Sequence, residues 1–321
     1  MGGKPDRAFE TGRPPCCEQL LWICADARRI SLQLSGDPER AHPELKAAVS
    51  REPRSRRTTT IYLGFEGKNL AGAILARNLW LQGHPAQAVE RVRKTVKDAA
   101  AMRHSLTLSI ALIWGISVFL WTGDLPAAEE HIDWLMSHCE IYSLAPYRAV
   151  GHGFTGELAS RRGKASSGVE ILEESLATLH SMPYELLTTE LNISLAKGLS
   201  AVGRFTDGIA LIDKTIQRVE TNGDLLYLSE LMRLKGRFLL SIPQARADGA
   251  ELHLTRSLEL SRRQGAGGWE LRAATDLAAL FANQGQSQKG RALLQPVLKL
   301  FTGGLDTADL QAAGQMLATL S

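Results

Sequence analysis

Trp80-Leu81-Gln82-Gly83-His84-Pro85-Ala86-Gln87-Ala88-Val89-Glu90-Arg91-Val92 decides the fold, because its spacing returns along the chain. Gly83 is followed five residues on by Ala88 and nine on by Val92. The same triplet recurs as Gly123, Ala128, Ile132; as Gly163, Gly168, Leu172; as Gly203, Gly208, Ile212; and as Gly285, Gly290, Leu294. The first four glycines stand 40 residues apart, and Gly285 lies two periods and two residues beyond Gly203. Only glycine enters the left-handed conformation that closes a helix cheaply. A small side chain at plus five lets two helices cross closely, and the residue four further on shares its buried face. The spacing therefore predicts a helix, a turn and a second helix, repeated.

Outward from that stretch, Gly36 with Ala41 and Leu45 gives a first unit, separated from Gly83 by one period plus seven residues. Ala245, Ala250 and Leu254 supply a sixth, so seven units run from about residue 18 to 300. Seven residues before the turn, small side chains recur at Ala76, Gly156, Ala196 and Ala278, with Ile116 an exception and Gly236 serving the sixth unit. The expected fold is all-α: a right-handed α–α superhelix of about seven hairpins, in which each unit touches only its neighbours. Residues 1–16 read as a disordered lead-in, 17–60 as a degenerate first hairpin with a basic loop, 61–304 as the repeats, and 305–321 as a capping helix. In that last helix Leu310, Ala313, Leu317 and Leu320 share a face, and Asp306 and Asp309 can cap it.

Charge narrows the partner class. Residues 1–60 hold 11 Lys and Arg against 8 Asp and Glu, leaving 26 against 26 for the rest. A nucleic-acid-binding solenoid needs a basic stripe, and a neutral repeat body argues against one. The basic run Arg51-Glu52-Pro53-Arg54-Ser55-Arg56-Arg57 falls in the inserted segment and reads as a solvated loop. Ser105 to Gly123 carries no charge over 19 residues, long enough to span a bilayer. Gly123 falls on the repeat period, however, and a helix sandwiched between neighbours is also apolar all round, so no membrane partner is expected. Leu20-Leu21-Trp22-Ile23-Cys24-Ala25 is too short for a secretory core, which leaves a cytoplasmic address by default.

Chemistry-bearing motifs are sparse. Cys16, Cys17, Cys24 and Cys139 form no C-x-x-C pair. His131 and His138 are seven apart on one helix, about 10 Å, too far to share one zinc ion. Neither Gly64-Phe65-Glu66-Gly67-Lys68-Asn69 nor Gly163-Lys164-Ala165 matches a phosphate-binding loop. No G-x-S-x-G elbow or H-E-x-x-H helix occurs. His138-Cys139-Glu140 lacks the P-C-x-x-C that a zinc deaminase requires. No catalytic residue, metal site or cofactor is expected.

The turn glycine and its small and aliphatic companions resemble the tetratricopeptide repeat, lengthened from about 34 residues. Trp80 to Ala88, and Trp269-Glu270-Leu271-Arg272-Ala273-Ala274-Thr275-Asp276-Leu277-Ala278 with Phe301 to Leu310, resemble the C-terminal repeat region of large bacterial signalling ATPases. In those proteins a winged-helix or class III adenylate cyclase domain and a P-loop ATPase precede the repeats. The resemblance covers residues 60–320 well and 18–60 weakly. It implies a regulatory or sensory arm in signal transduction or transcription regulation, with a cognate ATPase or cyclase domain as a partner. The catalytic domains have no counterpart here, so the family's catalytic residues have no positions to occupy.

First helices line the concave face of such arrays, and two residues before the turn the units vary freely: Leu81, Trp121, Arg161, Ala201, Asn283. Four of the six tryptophans, Trp80, Trp114, Trp121 and Trp134, fall within residues 80–134, close to Arg161-Arg162. Aromatic anchors beside arginines suit a peptide or small-molecule groove. Trp80, Trp114, Trp121, Arg161 and Arg162 are the expected partner-binding residues; the competing reading makes Trp114 and Trp121, seven apart, simple core. The sequence thus points to a non-enzymatic scaffold that binds a protein or peptide. A small-molecule sensor is the alternative, and a cryptic enzyme or RNA binder a third class.

Overall fold

The computed structural model describes residues 28, 30–50, 61–62, 65–182, 184–242, 247–301 and 307–320. The lead-in at 1–16, the basic run at 51–57, Cys16, Cys17, Cys24 and Asp306 lie outside the described residues. A short helical stretch over 30–34 leads through Gly36 into α1 (Pro38–Ser50). Then come α2 (Gly67–Leu81) and α3 (Pro85–Ala101), α4 (Ser105–Thr122) and α5 (Leu125–Ile141), α6 (Ala145–Arg161) and α7 (Ala165–Ser181). The chain continues as α8 (Thr188–Ala201) and α9 (Phe205–Asn222), α10 (Leu228–Ser241) and α11 (Ala247–Arg263), α12 (Gly267–Asn283) and α13 (Ser287–Leu298), and ends with α14 (Ala308–Thr319). The expectation of an almost wholly helical chain meets one small exception, a two-stranded antiparallel hairpin pairing Ile61–Tyr62 with Phe65–Glu66 ahead of α2.

Every expected turn glycine has a positive φ: Gly36, Gly83, Gly123, Gly163, Gly203 and Gly285 lie between 74° and 86°. The sixth turn, at 243–246, lies outside the described residues. The plus-five and minus-seven positions meet across each hairpin. A Cβ on Gly168 would lie 2.6 Å from the Gly156 carbonyl oxygen, and one on Gly290 would lie 3.0 Å from that of Ala278. Leu45, Leu172, Ile212, Leu254 and Leu294 at plus nine are sealed from solvent. Close backbone approach here follows from side-chain size, the ridge being removed where the helices cross.

A second set of left-handed residues joins one hairpin to the next: Arg103, Ser143, Leu187, Gly223 and Gly265. Arg103, Ser143 and Gly223 each stand 20 residues after a turn glycine. Three of these five positions are not glycine, which conceals the second period from a reading based on glycine alone.

α4 is the one described helix long and apolar enough to cross a membrane, and 89% of its apolar window is buried inside the protein. Its neighbours α2, α3, α5 and α6 pack around it, so its uniform hydrophobicity is that of a central element. α14 packs on α12 and α13, with Leu310, Ala313 and Leu320 buried. Its N-cap is Thr307, whose Oγ1 accepts from the Leu310 amide at 3.4 Å. Asp309, an expected cap, turns inward to Arg272 instead.

Units do not touch only their neighbours. The superhelix winds until its first hairpins meet its last. A Cβ on Gly268 would lie 2.9 Å from the Trp80 ring, one on Gly83 3.1 Å from Phe301, and one on Gly123 3.0 Å from Ala308. Large rings on the inner faces of α2, α4 and α12 drive this closure. Burying an apolar side chain of that size is worth about 2–3 kcal/mol, which an open axis would forgo.

Candidate functional site on the inner face

Four aromatic side chains from distant units converge where the superhelix closes. Trp80 from α2 lies 4.8 Å from Trp121 of α4 and 4.7 Å from Trp269 of α12, centroid to centroid; Tyr227, just before α10, stands edge-on to Trp121 at 6.3 Å. Two guanidinium groups cover these rings. Arg77 sits 4.5 Å from the Trp114 centroid and 4.8 Å from that of Trp121, while Arg272 sits 4.8 Å from Trp80 and 5.1 Å from Trp269. Such stacking is electrostatically favourable and strongest when desolvated.

Around Arg77 the polar partners form a sealed knot. Its Nη2 donates to the Tyr227 hydroxyl and lies 3.5 Å from Glu190 Oε2. That carboxylate oxygen also accepts from Tyr227 at 2.7 Å and from Ser117 at 2.9 Å. Burial pushes the Glu190 carboxyl above its ordinary pKa, against the pull of Arg77, and raises the Tyr227 phenol further. Arg77 Nε, Glu190 Oε1, Trp114 Nε1 and Trp269 Nε1 are buried with no hydrogen-bond partner among the described residues.

From this knot a charged row runs along α6, α8, α10, α12 and α14 towards solvent. Glu157 accepts from Arg161 Nε at 2.9 Å and Nη2 at 2.6 Å, and from Ser194 at 2.7 Å. Glu230 takes two bonds from Arg233, at 2.7 and 2.8 Å, and lies 3.4 Å from both Arg272 Nη1 and Lys197 Nζ. Arg233 also donates to Asp276, which Arg237 approaches at 3.9 Å; Arg272 donates to Asp309 at 2.9 Å and to the Trp121 carbonyl at 3.1 Å. Burial opposes the charge on Glu230, but Arg233, Lys197 and Arg272 hold it well below the carboxylate range; Arg161 and Lys197 do the same, less strongly, for Glu157. Burial pushes the Lys197 ammonium down to about 8, Glu230 opposing and Arg272 and Arg161 reinforcing the fall. A third of its side chain is exposed, yet Nζ faces the sealed Glu230 carboxylate.

The expected partner-binding residues separate accordingly. Trp80, Trp114 and Trp121 are 4%, 3% and 4% exposed and form the interior of the closure. Arg161 stands at the accessible part of the row, with 28% of its side chain exposed. Arg162 points elsewhere, forking onto the exposed Glu129 of α5. The histidines are structural: His131 Nδ1 lies 2.8 Å from the Ala127 carbonyl oxygen and His138 Nε2 lies 3.0 Å from that of Ser105. Cys139 is buried, its thiol pushed up to about 11. Among the described residues no group of three or more metal-ligating side chains occurs.

The position two residues before the turn reaches the inner polar row only at Arg161, whereas the position six before the turn contributes from four units. Arg77, Ser117, Glu157 and Lys197 all stand at minus six, one residue after the small minus-seven position. A polar side chain repeated inside otherwise apolar first helices was the available signal.

No family model and no curated protein matches the sequence. Solved structures do match. A Rap protein complexed with competence and sporulation factor is 9% identical, covers 94% of this chain and 87% of its own, and has a TM-score of 0.60. Apo RapI is 10% identical over 93% of this chain and 99% of its own, with a TM-score of 0.53. The apo quorum sensor NprR from B. thuringiensis is 11% identical over 78% and 69%, with a TM-score of 0.50. This likeness establishes the fold: a superhelix of tetratricopeptide-like helical hairpins.

Proposed function

We propose that this protein is a non-enzymatic regulatory scaffold that takes a peptide segment onto the inner face of its superhelix, along the row from Arg161 to Asp276. The observation that carries this reading is the placement of charge. Fully or largely buried ionic side chains gather on the inward faces of first helices, where a packed core alone would place apolar residues. A row of fixed donors and acceptors beside aromatic walls suits an extended main chain with mixed side chains. Support comes from two structures of like fold, a Rap protein complexed with competence and sporulation factor and the quorum sensor NprR. On the resemblance to signalling ATPases, the bound segment belongs to a cognate ATPase or cyclase domain in the bacterial cytoplasm.

The test is capture of partners from native lysate by the intact chain and by an Arg161→Glu/Asp276→Lys variant, with folding checked by circular dichroism. Loss of the partner in the variant is expected. A partner that survives this change and is lost on Trp134→Glu, on the exposed face of α5, would overturn the inner-face assignment.

A small-molecule sensor remains a second reading, favoured by the unpaired Arg77 Nε, Glu190 Oε1 and Trp114 Nε1. A small polar ligand satisfying those atoms would quench or shift tryptophan emission. No emission change across a metabolite panel would remove it.

A further inference from the structure

Glu230 is oversubscribed. Both its oxygens already accept from Arg233, and Arg272 and Lys197 reach the same Oε1 at 3.4 Å. Among the described residues Lys197 has no other ion-pair partner and a third of its side chain is exposed, so the N–H donors that Glu230 does not engage are met by water. The row as a whole carries Arg161, Lys197, Arg233, Arg237 and Arg272 against Glu157, Glu230, Asp276 and Asp309. Five cations against four carboxylates leave one positive charge over. Four of the five cations are guanidinium groups that do not deprotonate. Lys197 is the one member that can shed the surplus, and it stands where the row opens to solvent.

We propose that Lys197 is the docking point for a single carboxylate on the bound peptide, an acidic side chain, and that this carboxylate binds only the ammonium form of Lys197. The inference rests on the inner-face peptide reading. A second carboxylate would leave the row one negative charge over and is disfavoured, so the ligand class is a peptide with one acidic residue at this point. The groups facing Lys197 set the coupling. Glu230 and Arg233 come from α10, Glu157 and Arg161 from α6, and Arg272 from α12; of these only the two glutamates can lose their charge, and both are held low enough to stay ionised above neutrality. An arriving carboxylate replaces that water with a charged acceptor and draws a proton onto the amine.

The probes are two acetylated, amidated pentapeptide pools that differ in a central Glu or Gln, titrated calorimetrically into the full chain. The Glu pool is expected to bind more tightly than the Gln pool at pH 7. With the free amine titrating near 8, its affinity should fall about 30-fold by pH 9.5, one decade per unit beyond the midpoint. Lys197→Arg should keep the Glu preference and lose the pH dependence, while Lys197→Gln should lose both. If the two pools bind alike and independently of pH, with Arg161→Glu still abolishing binding, the carboxylate assignment falls and the peptide reading stands. If neither pool binds at millimolar concentration, both fall.

Discussion

Arg272→Met tests the closure of the superhelix. The guanidinium of Arg272 bonds Asp309 of the cap, Glu230 of the sixth hairpin and the Trp121 carbonyl of the third, and lies over the rings of Trp80 and Trp269. Its side chain is 10% exposed. Removing one partner of a buried ion pair costs about 3–5 kcal/mol when the other is stranded. Here the strandedness is partial. Glu230 keeps Arg233, and Asp309, 25% exposed, regains water. Methionine still covers the rings but removes the cation, worth about 1–2 kcal/mol at a desolvated site. The expected loss is about 3 kcal/mol, measured by urea unfolding at pH 7. Because these bonds tie the two ends of the array together, the radius of gyration should rise in X-ray scattering, and amides near Trp121 should exchange faster. A change below about 1 kcal/mol, or a full loss of stability with unaltered scattering and exchange, would refute the closure role.

Gly168→Ala should destabilise by at least about 2–3 kcal/mol, because its Cβ would lie 2.0 Å from Ser160 Oγ and 2.6 Å from the Gly156 carbonyl oxygen. Gly163→Ala, with φ at +82° and nothing within 4 Å, should lose only the left-handed penalty of about 1–2 kcal/mol; thermal melts that rank the two the other way would sink this contrast. Arg103→Gly and Ser143→Gly, at φ 53° and 54°, should each stabilise by about 0.5–1 kcal/mol, and a loss at both sites would contradict it. Deleting residues 305–321 uncovers the faces of α12 and α13 that Leu310 and Leu320 seal, so light scattering should show aggregation; a monomer with an unchanged melt counts against the cap. Glu230 and Glu157 lie below the reference carboxylate value of 4.5, so their contribution is present above that pH and is lost as pH falls below it. Glu190 lies above it and therefore adds stability on acidification towards 4.5, a slope that Glu190→Gln should flatten in pH-dependent urea midpoints.

The hairpins were legible because each depends on packing within one period. Gly203 needs only its own φ, and Ala196 with Gly208 needs only one crossing, so a single sequence records both. The joints between hairpins were not legible in the same way. Arg103 and Ser143 hold a left-handed backbone with side chains that do not advertise it, and context fixes what propensity leaves open. Thr307 caps α14, while Asp309, already inside the first turn, bonds Arg272, a partner 37 residues away that no local pattern announces. Closure itself was illegible for a different reason. Arg272 and Trp121 are 151 residues apart, and whether they meet depends on small rotations summed over the units between.

That closure also explains how a neutral chain conceals a polarised site. The 26 cations and 26 acids after residue 60 cancel in composition, yet the partly and wholly buried ones are concentrated on the inside, where a carboxylate such as Glu230 serves three cations at once. A buried ionic network is weak evidence for stability, since apolar residues of similar size hold a core as well or better. The segments around Trp80 and Trp269 are the ones that meet across the closure. The Trp269 segment also carries Arg272 and Asp276 of the charged row, so packed rings and part of the row lie in the same stretch of chain. On the proposed inner-face reading, what the row recognises is set at minus six and its neighbours, by Glu157 and Lys197, where the hairpin fold makes no demand on side-chain identity beyond facing inward.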